Sequence, residues 1–300
     1  MSFTSRTKEE VLNLKLNKAE IISELSAIIK NIGIIDDTIK ITTENEQLAN
    51  FIYNRLQNIY NINAKVIVRR GYNFNKNYIY ILEIVDNKDE LINDLGISNK
   101  IKDFIIDDYS LKRAYLSGLF LATGSINDPK TSRYHLEFII SDPIYATEIL
   151  YLINEFNLNG KIIKRDNKLM IYIKEAEKIS DFLRIISATN SLLYYEEIRI
   201  YRENKNLANR LNNCEQANVD KAIMAASEQI KDIQLIKENP IYNKLDYKIK
   251  LLMDYRLKYP DVSLKELSEI MSKEMENPIT KSGLNHRFIK IKEIAEKLRK

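Results

Sequence analysis

The order of apolar and polar positions divides the chain into two regions. Up to about residue 202, short apolar runs such as KIIKR and LMIYIK predict β-strands that alternate with amphipathic helices. Beyond about residue 218 the apolar residues recur only at helical spacing. The polar stretch 203–218 between them is either a linker or part of a connecting helix, and its Leu207 and Leu211 favour helix. The predicted C-terminal helices, bounded by prolines, are 219–236, 241–258, 263–271 and 282–300.

The first region is duplicated, with a shift of about 95 residues. The matching blocks are 19–33 with 114–127, 58–70 with 154–166, 79–84 with 169–174, and 88–96 with 178–186. Each copy predicts helix, strands, helix, two strands and helix around an antiparallel sheet. We therefore predict an α+β fold, with a duplicated αββαββα domain of pseudo-twofold symmetry and an all-α C-terminal domain. The predicted limits are 1–105 and 106–205 for the halves, 206–218 for the linker and 219–300 for the helical domain.

One predicted helix, within YLSGLFLATGSIN (115–127), holds two of only seven glycines in the chain. A helical glycine costs about 1 kcal/mol relative to alanine, and close helix–helix approach is a use that would justify it. The segment 116–124 resembles the LAGLIDADG motif of homing endonucleases, and 25–33 matches it more loosely. In that family small residues let two such helices pack together, while an acidic eighth residue holds the catalytic metal.

The eighth positions of the two motifs are Ile32 and Thr123, and neither side chain is an anionic ligand. The resemblance therefore implies the endonuclease scaffold without its chemistry. We expect no catalytic residue, no metal site and no cofactor. One cysteine and two histidines exclude an internal disulfide and make a Cys/His zinc site implausible.

The distribution of charge along the chain indicates where an anionic partner would bind. The whole chain has a net charge of +4, but residues 279–300 alone carry seven Lys or Arg against two Glu, a local net charge of +5. The rest of the chain is about neutral, and its strands mix charged and apolar residues on both faces, as in 161–165. With no signal peptide and no membrane-length apolar stretch, we expect a cytoplasmic, nucleoid-associated protein without a membrane partner.

The basic region follows a helix-turn-helix pattern over about 262–297. Ser263 and Glu266 form a capping box at the start of the first helix. Leu284, Phe288, Ile291, Ala295 and Leu298 form the apolar stripe of the second. Asn can read adenine and Arg guanine in the major groove of double-stranded DNA, whereas Lys mostly meets phosphate. The candidate DNA-binding residues are Thr280, Lys281, Ser282, Asn285, His286, Arg287, Lys290 and Lys292.

A degenerate LAGLIDADG domain followed by a helix-turn-helix resembles the WhiA family of bacterial regulators over essentially the whole chain. The stretches that carry the resemblance include RAYLSGLFLATGSI, IKEAEKISDFL, NRLNNCEQAN and ITKSGLNHRFIKIKEIAEKL. The resemblance implies a non-enzymatic DNA-binding regulator, tied to sporulation in some bacteria and to cell division and chromosome segregation in others. The alternatives are an active site-specific endonuclease, and a scaffold whose N-terminal domain binds a protein partner.

Overall fold

A computed structural model describes residues 1–70 and 78–299 of the protein. The chain divides into two compact units, Met1–Arg202 and Glu203–Lys300. The first unit has a core of its own that runs from Phe3 to Tyr195, and the core of the second begins at Ile233. Each unit therefore buries its own apolar residues.

The first unit consists of two successive αββαββα halves preceded by a short helix, α1 (Phe3–Leu12). The first half contains α2 (Lys18–Ile32), β1 (Gly33–Ile35), β2 (Ile39–Thr43), α3 (Glu46–Tyr60), β3 (Lys65–Arg70), β4 (Tyr78–Ile84) and α4 (Lys88–Asp94). The second half contains α5 (Tyr109–Thr123), β5 (Gly124–Ile126), β6 (Leu136–Ile140), α6 (Pro143–Glu155), β7 (Lys161–Arg165), β8 (Lys168–Ile173) and α7 (Ala176–Ile185). The predicted fold class is confirmed.

The two sheets have equivalent topologies, β1-β2-β4-β3 and β5-β6-β8-β7, and every neighbouring pair is antiparallel. The shift between the copies is not uniform. The long helices α2 and α5 have the same length and correspond with a shift of 91 residues, whereas Lys65 and Lys161, which begin β3 and β7, differ by 96. Loops of different length between equivalent elements explain the approximate value of 95 taken from the sequence.

The halves meet where α2 packs along α5. A Cβ atom added to Gly118 in α5 would lie 2.2 Å from the carbonyl oxygen of Glu24 and 3.0 Å from the Cβ of Ala27, both in α2. No side chain larger than hydrogen fits at this crossing without moving the helices apart. The glycine of the motif is thus explained by close helix approach, as the sequence pattern predicted.

The outward face of the second sheet mixes basic and apolar side chains. Alternation along β7 places Lys161, Ile163 and Arg165 on the side opposite to Ile162, which pairs with the buried Ile171. Ile163 lies in register with Met170 of β8, whose side chain is largely buried. An apolar strip therefore interrupts the basic residues on this face.

The described residues of the second unit form helices joined by short turns. Helix α8 (Thr189–Lys237) includes all of 206–218, the predicted linker, in regular helix. The helix expected over 241–258 was wrong in part, because Pro240–Lys244 is a 3-10 helix and the α-helix starts only at Tyr247. The remaining helices are α9 (Tyr247–Lys258), α10 (Leu264–Glu274) and α11 (Lys281–Arg299). Lys300, the last residue of the predicted helix 282–300, lies outside the described residues.

Candidate nucleic-acid interface

Helices α10 and α11 form the two helices of the predicted helix-turn-helix, joined by residues 275–280. The capping box at the start of α10 is present, with Ser263 accepting from the Glu266 N–H and Glu266 accepting from the Ser263 N–H. The hydroxyl of Ser272 accepts the Ile279 N–H at 2.8 Å and fixes the end of the turn to α10. Glu276 has a φ of 48°, so the chain reverses through a left-handed residue.

A buried arginine supports α11 from α9. Arg256 is 1% exposed, donates to the carbonyl of Val262 at 2.7 Å, and its guanidinium lies 5.5 Å from the ring centroid of Phe288. Burial lowers the pKa of the Arg256 guanidinium below its ordinary value. The contact with Phe288 fixes the middle of α11 against the rest of the unit.

The start of α11 is capped by Thr280. Its hydroxyl accepts the Gly283 N–H at 3.1 Å, and its carbonyl accepts the Leu284 N–H. The N–H groups of Lys281 and Ser282 find no acceptor within residues 1–70 and 78–299. A Cβ on residue 283 would approach the Thr280 hydroxyl to 3.2 Å, so the glycine leaves room for the cap. Two free N–H groups at a helix start are a site for one phosphate.

Two stripes of residues run along opposite sides of α11. Leu284, Phe288, Ile291 and Ala295 are buried, as the sequence predicted, whereas Leu298 is only partly buried. A helix turns by about 100° per residue, so residues two positions away from a stripe lie on the far side. The far stripe consists of Ser282, His286, Ile289 and Glu293, all exposed.

The predicted DNA-binding residues lie on this exposed side or at its flanks. Asn285, His286, Lys290 and Lys292 are exposed, and Arg287 is half-buried. None of these five side chains makes a hydrogen bond or ion pair with any other residue that the structure describes. Asn285 and Arg287 are about 200° apart around the helix, so they project from opposite flanks rather than side by side.

The basic character of α11 is concentrated in its first half. No acidic residue precedes Glu293 in the helix. At the other end, Arg299 is already engaged, because its guanidinium lies 2.5 Å from the carboxylate of Asp232 in α8. The first half of α11 is therefore its most positively charged part, because no acidic residue there offsets Lys281, Arg287 and Lys290.

The sequence prediction omitted Ile289. Its side chain is 46% exposed, and it lies off the apolar stripe that the sequence predicts. Its position in the sequence identifies it as exposed. Residues 282, 286, 289 and 293 have the same spacing as the buried residues 284, 288, 291 and 295, but each lies two positions earlier. An exposed isoleucine on this stripe is therefore absent from the predicted set of DNA-binding residues.

In the first unit, the two eighth motif positions lie at equivalent points. Ile32 and Thr123 are the last residues of α2 and α5, and each is followed by a glycine that begins a strand. Both line a cavity of about 310 Å³. The Thr123 hydroxyl donates to the Leu119 carbonyl of its own helix.

The acidic residues nearest to these positions in sequence are loop residues. Asp36 lies in the turn between β1 and β2, where its N–H donates to the Thr38 carbonyl. Asp128 follows β5 and accepts from the Lys130 N–H and the Tyr194 hydroxyl. Within the described ranges, no three His, Cys, Asp or Glu residues are grouped so as to hold a metal ion. Among the helices of the same ranges, none has the length and hydropathy needed to cross a membrane.

Comparison with known proteins gives one family in three consecutive regions. Residues 18–98 match the WhiA N-terminal LAGLIDADG-like domain, 112–205 the WhiA LAGLIDADG-like domain, and 208–295 the WhiA C-terminal HTH domain. The chain is 42% identical over 311 residues to a protein of Bacillus cytotoxicus and 40% identical over 311 residues to one of Pediococcus pentosaceus. These alignments cover 100% of this chain and 98% and 100% of the relatives, both named probable cell division protein WhiA.

A solved structure is similar to this chain over almost its whole length. The crystal structure of full-length DUF199/WhiA from Thermatoga maritima is similar with a TM-score of 0.61 and 27% identity, and the match covers 99% of both chains. The N-terminal LAGLIDADG domain of DUF199/WhiA matches with a TM-score of 0.51 over 62% of this chain and 90% of that one. Since all three of its regions match in order and the relatives align end to end, the chain belongs to the WhiA family.

Proposed function

We propose that the protein is a non-enzymatic regulator that binds double-stranded DNA by inserting the first half of α11 into the major groove. The observation that carries this proposal is the set of exposed, unpaired polar and basic side chains on α11, opposite its buried stripe. A helix held by a preceding helix and a tight turn, with such residues at its start, has the geometry of a recognition helix.

The two flanks of α11 have separate roles in this proposal. Asn285 and Lys292 share one flank, and Arg287 lies on the other, so the side chains reach both sides of a groove about 12 Å wide. Asn285 and Arg287 contact base edges, while Lys290 and Lys292 neutralise phosphates. Lys281, Ser282 and the Thr280 cap hold one phosphate at the helix start through the free N–H groups.

The first unit contributes a scaffold rather than a nuclease. Ile32 and Thr123 occupy the positions where the motif needs carboxylates, and a hard divalent cation requires anionic oxygen ligands. The carboxylate of the loop residue Asp128 accepts from the Lys130 N–H and the Tyr194 hydroxyl, and no group of three His, Cys, Asp or Glu that could hold a metal ion occurs in the described ranges. In this proposal the unit serves as a scaffold or binds a protein partner, and it does not cleave DNA.

The cellular role rests on the names of the relatives. Because both relatives described above are named as probable cell division proteins, we propose that this protein acts in cell division. The resemblance of the sequence to the WhiA family adds the finer proposal that it acts in chromosome segregation through regulated transcription, on the nucleoid. Mapping where the full chain is bound on its own chromosome tests this. Binding confined to regions without promoters or segregation sites would contradict the regulatory role.

The DNA-binding proposal is tested with the full chain and a duplex selected from a random library. Asn285→Ala and Arg287→Ala are each expected to reduce discrimination between the selected and random duplexes by about 1–3 kcal/mol. Lys290→Ala should instead weaken both duplexes about equally and lower the slope of log affinity against log salt by about 1.

Matched controls are available in α8. Asn213→Ala and Lys231→Ala remove exposed residues of the same types outside the proposed interface, and both should bind like the wild type. Unchanged discrimination in Asn285→Ala and Arg287→Ala, with affinity also unchanged in Lys290→Ala, would show that α11 does not contact DNA.

A further inference from the structure

Ile289 is an exposed aliphatic side chain on the far stripe of α11. Among described residues from 247 onward, the only other large apolar side chain comparably exposed is Tyr247, at the start of α9. The neighbours of Ile289 along the stripe are polar, namely His286 before it and Glu293 after it. An isolated exposed isoleucine needs no explanation on an ordinary surface, but this one lies within the proposed DNA-reading face.

The helix itself gives no reason for an isoleucine here. β-Branched residues are slightly less favourable in helices than lysine, arginine or glutamate, so an exposed position gains no stability from this choice. The buried stripe is complete without Ile289, because Leu284, Phe288 and Ile291 already fill the core side of the helix. The side chain is therefore available for an external contact.

The position along the axis suits contact with a base pair. At about 1.5 Å per residue, Ile289 lies about 4.5 Å beyond His286 and about 10.5 Å beyond Ser282. Successive base pairs are about 3.4 Å apart, so Ile289 faces a base pair one or two steps beyond the one met by His286. It also lies in the first half of a 19-residue helix, the half that enters the groove.

We propose that Ile289 reads the C5-methyl group of a thymine, an inference that rests on the proposed function and adds the base that this position selects. In the major groove the thymine methyl is the apolar group that a side chain can contact, and isoleucine has no hydrogen-bonding group for the other base edges. Opposite a G·C pair, Ile289 would cover polar base atoms without replacing their hydrogen bonds to water, which disfavours that pair.

The test removes only the methyl group from the DNA. A duplex selected with the full wild-type chain is resynthesised with each thymine replaced in turn by uracil, which pairs identically but lacks the C5-methyl. For the wild type, uracil at one thymine is expected to weaken binding about fourfold, which corresponds to about 0.8 kcal/mol for one buried apolar carbon. Ile289→Ala is expected to bind the thymine and uracil duplexes equally well.

The matched control is Ile223→Ala in α8, an isoleucine of nearly the same exposure, 48% against 46%, outside α11. This variant should keep the full sensitivity to uracil. A selected duplex whose affinity does not change at any thymine overturns the inference and leaves the proposed function standing. An equal loss of affinity on uracil substitution in wild type and Ile289→Ala also overturns the inference and leaves the proposed function standing. If no duplex is enriched at all, the proposed function fails and this inference fails with it.

Discussion

A buried carboxyl in the first unit allows a quantitative prediction of pH-dependent stability. Glu24 in α2 is fully buried, and neither of its carboxyl oxygens has a hydrogen-bond partner within the described part of the chain. Burial raises the pKa of Glu24 from 4.5 to about 8, although the positive charge of Arg55 acts in the opposite direction. The folded protein therefore holds this group neutral at pH 7, whereas the unfolded chain ionises it.

The sign follows from proton binding. Between pH 4.5 and 8 the folded state keeps a proton that the unfolded state has released, so the free energy of unfolding falls as the pH rises through this interval. Below pH 4.5 both states are protonated and the group has no effect. At about 1.4 kcal/mol per pH unit, the loss reaches about 3 kcal/mol at pH 7, about 4 kcal/mol at pH 8 and about 5 kcal/mol well above pH 8.

Glu24→Gln keeps the size and polarity of the side chain but removes its titration. We expect the fragment 1–205, which contains the complete core of the first unit, to unfold in urea with similar free energies for both forms at pH 5. At pH 8 the variant should be more stable by about 4 kcal/mol. Glu90→Gln in α4, where the glutamate is exposed, serves as the control and should follow the wild type at every pH.

Circular dichroism in urea titrations at pH 5, 6, 7 and 8 measures these free energies. Wild-type and Glu24→Gln fragments with parallel pH profiles would refute the reasoning, because they would show that Glu24 is ionised in the folded state. A variant less stable than wild type at pH 8 would refute it as well, since it would mean that the carboxylate is stabilised by a partner.

Three further predictions concern the scaffold and the division of labour. Gly118→Ala should destabilise fragment 1–205 by about 1–3 kcal/mol or more, because the new methyl group would collide with the Glu24 carbonyl. An unchanged midpoint of urea unfolding would contradict the close crossing of α2 and α5. Residues 219–300 contain the whole core of the second unit, so this fragment should retain most of the DNA affinity, whereas the fragment 1–205 should bind DNA weakly. Binding isotherms of the two fragments at matched salt test this, and equal affinity of 1–205 and the full chain would place the DNA interface in the first unit. Excess full chain with Mg²⁺ or Mn²⁺ should not nick its bound duplex, and metal-dependent cleavage that survives further purification would restore the endonuclease alternative.

Much of the fold could be predicted because its signals are local. Helix and strand periodicities, the capping box at Ser263 and the duplicated order of elements depend on residues close in sequence, so they can be read before any tertiary contact is known. The buried stripe of α11 was predicted for the same reason. The residue-level match to the motif also located Ile32 and Thr123 at equivalent helix ends.

The polar stretch 203–218 could not be assigned from the sequence, because helix propensity and polarity there pointed in different directions. The 3-10 start at Pro240 was missed as well, since the apolar spacing after it is equally consistent with one continuous helix.

The tertiary structure decided how far each side chain of α11 is exposed. The sequence lists Asn285, His286 and Arg287 as consecutive residues, but the direction of the buried stripe places Asn285 and Arg287 on opposite flanks. Ile289 lies off the predicted apolar stripe, and the packing of α9 and α10 against the other side of the helix leaves it 46% exposed. Likewise, the position of Glu24 in the sequence of α2 does not by itself show that its side chain is fully buried. Burial is a property of distant elements brought together, so neither the degree of exposure along α11 nor the neutral carboxyl of Glu24 can be deduced from residues adjacent in the chain.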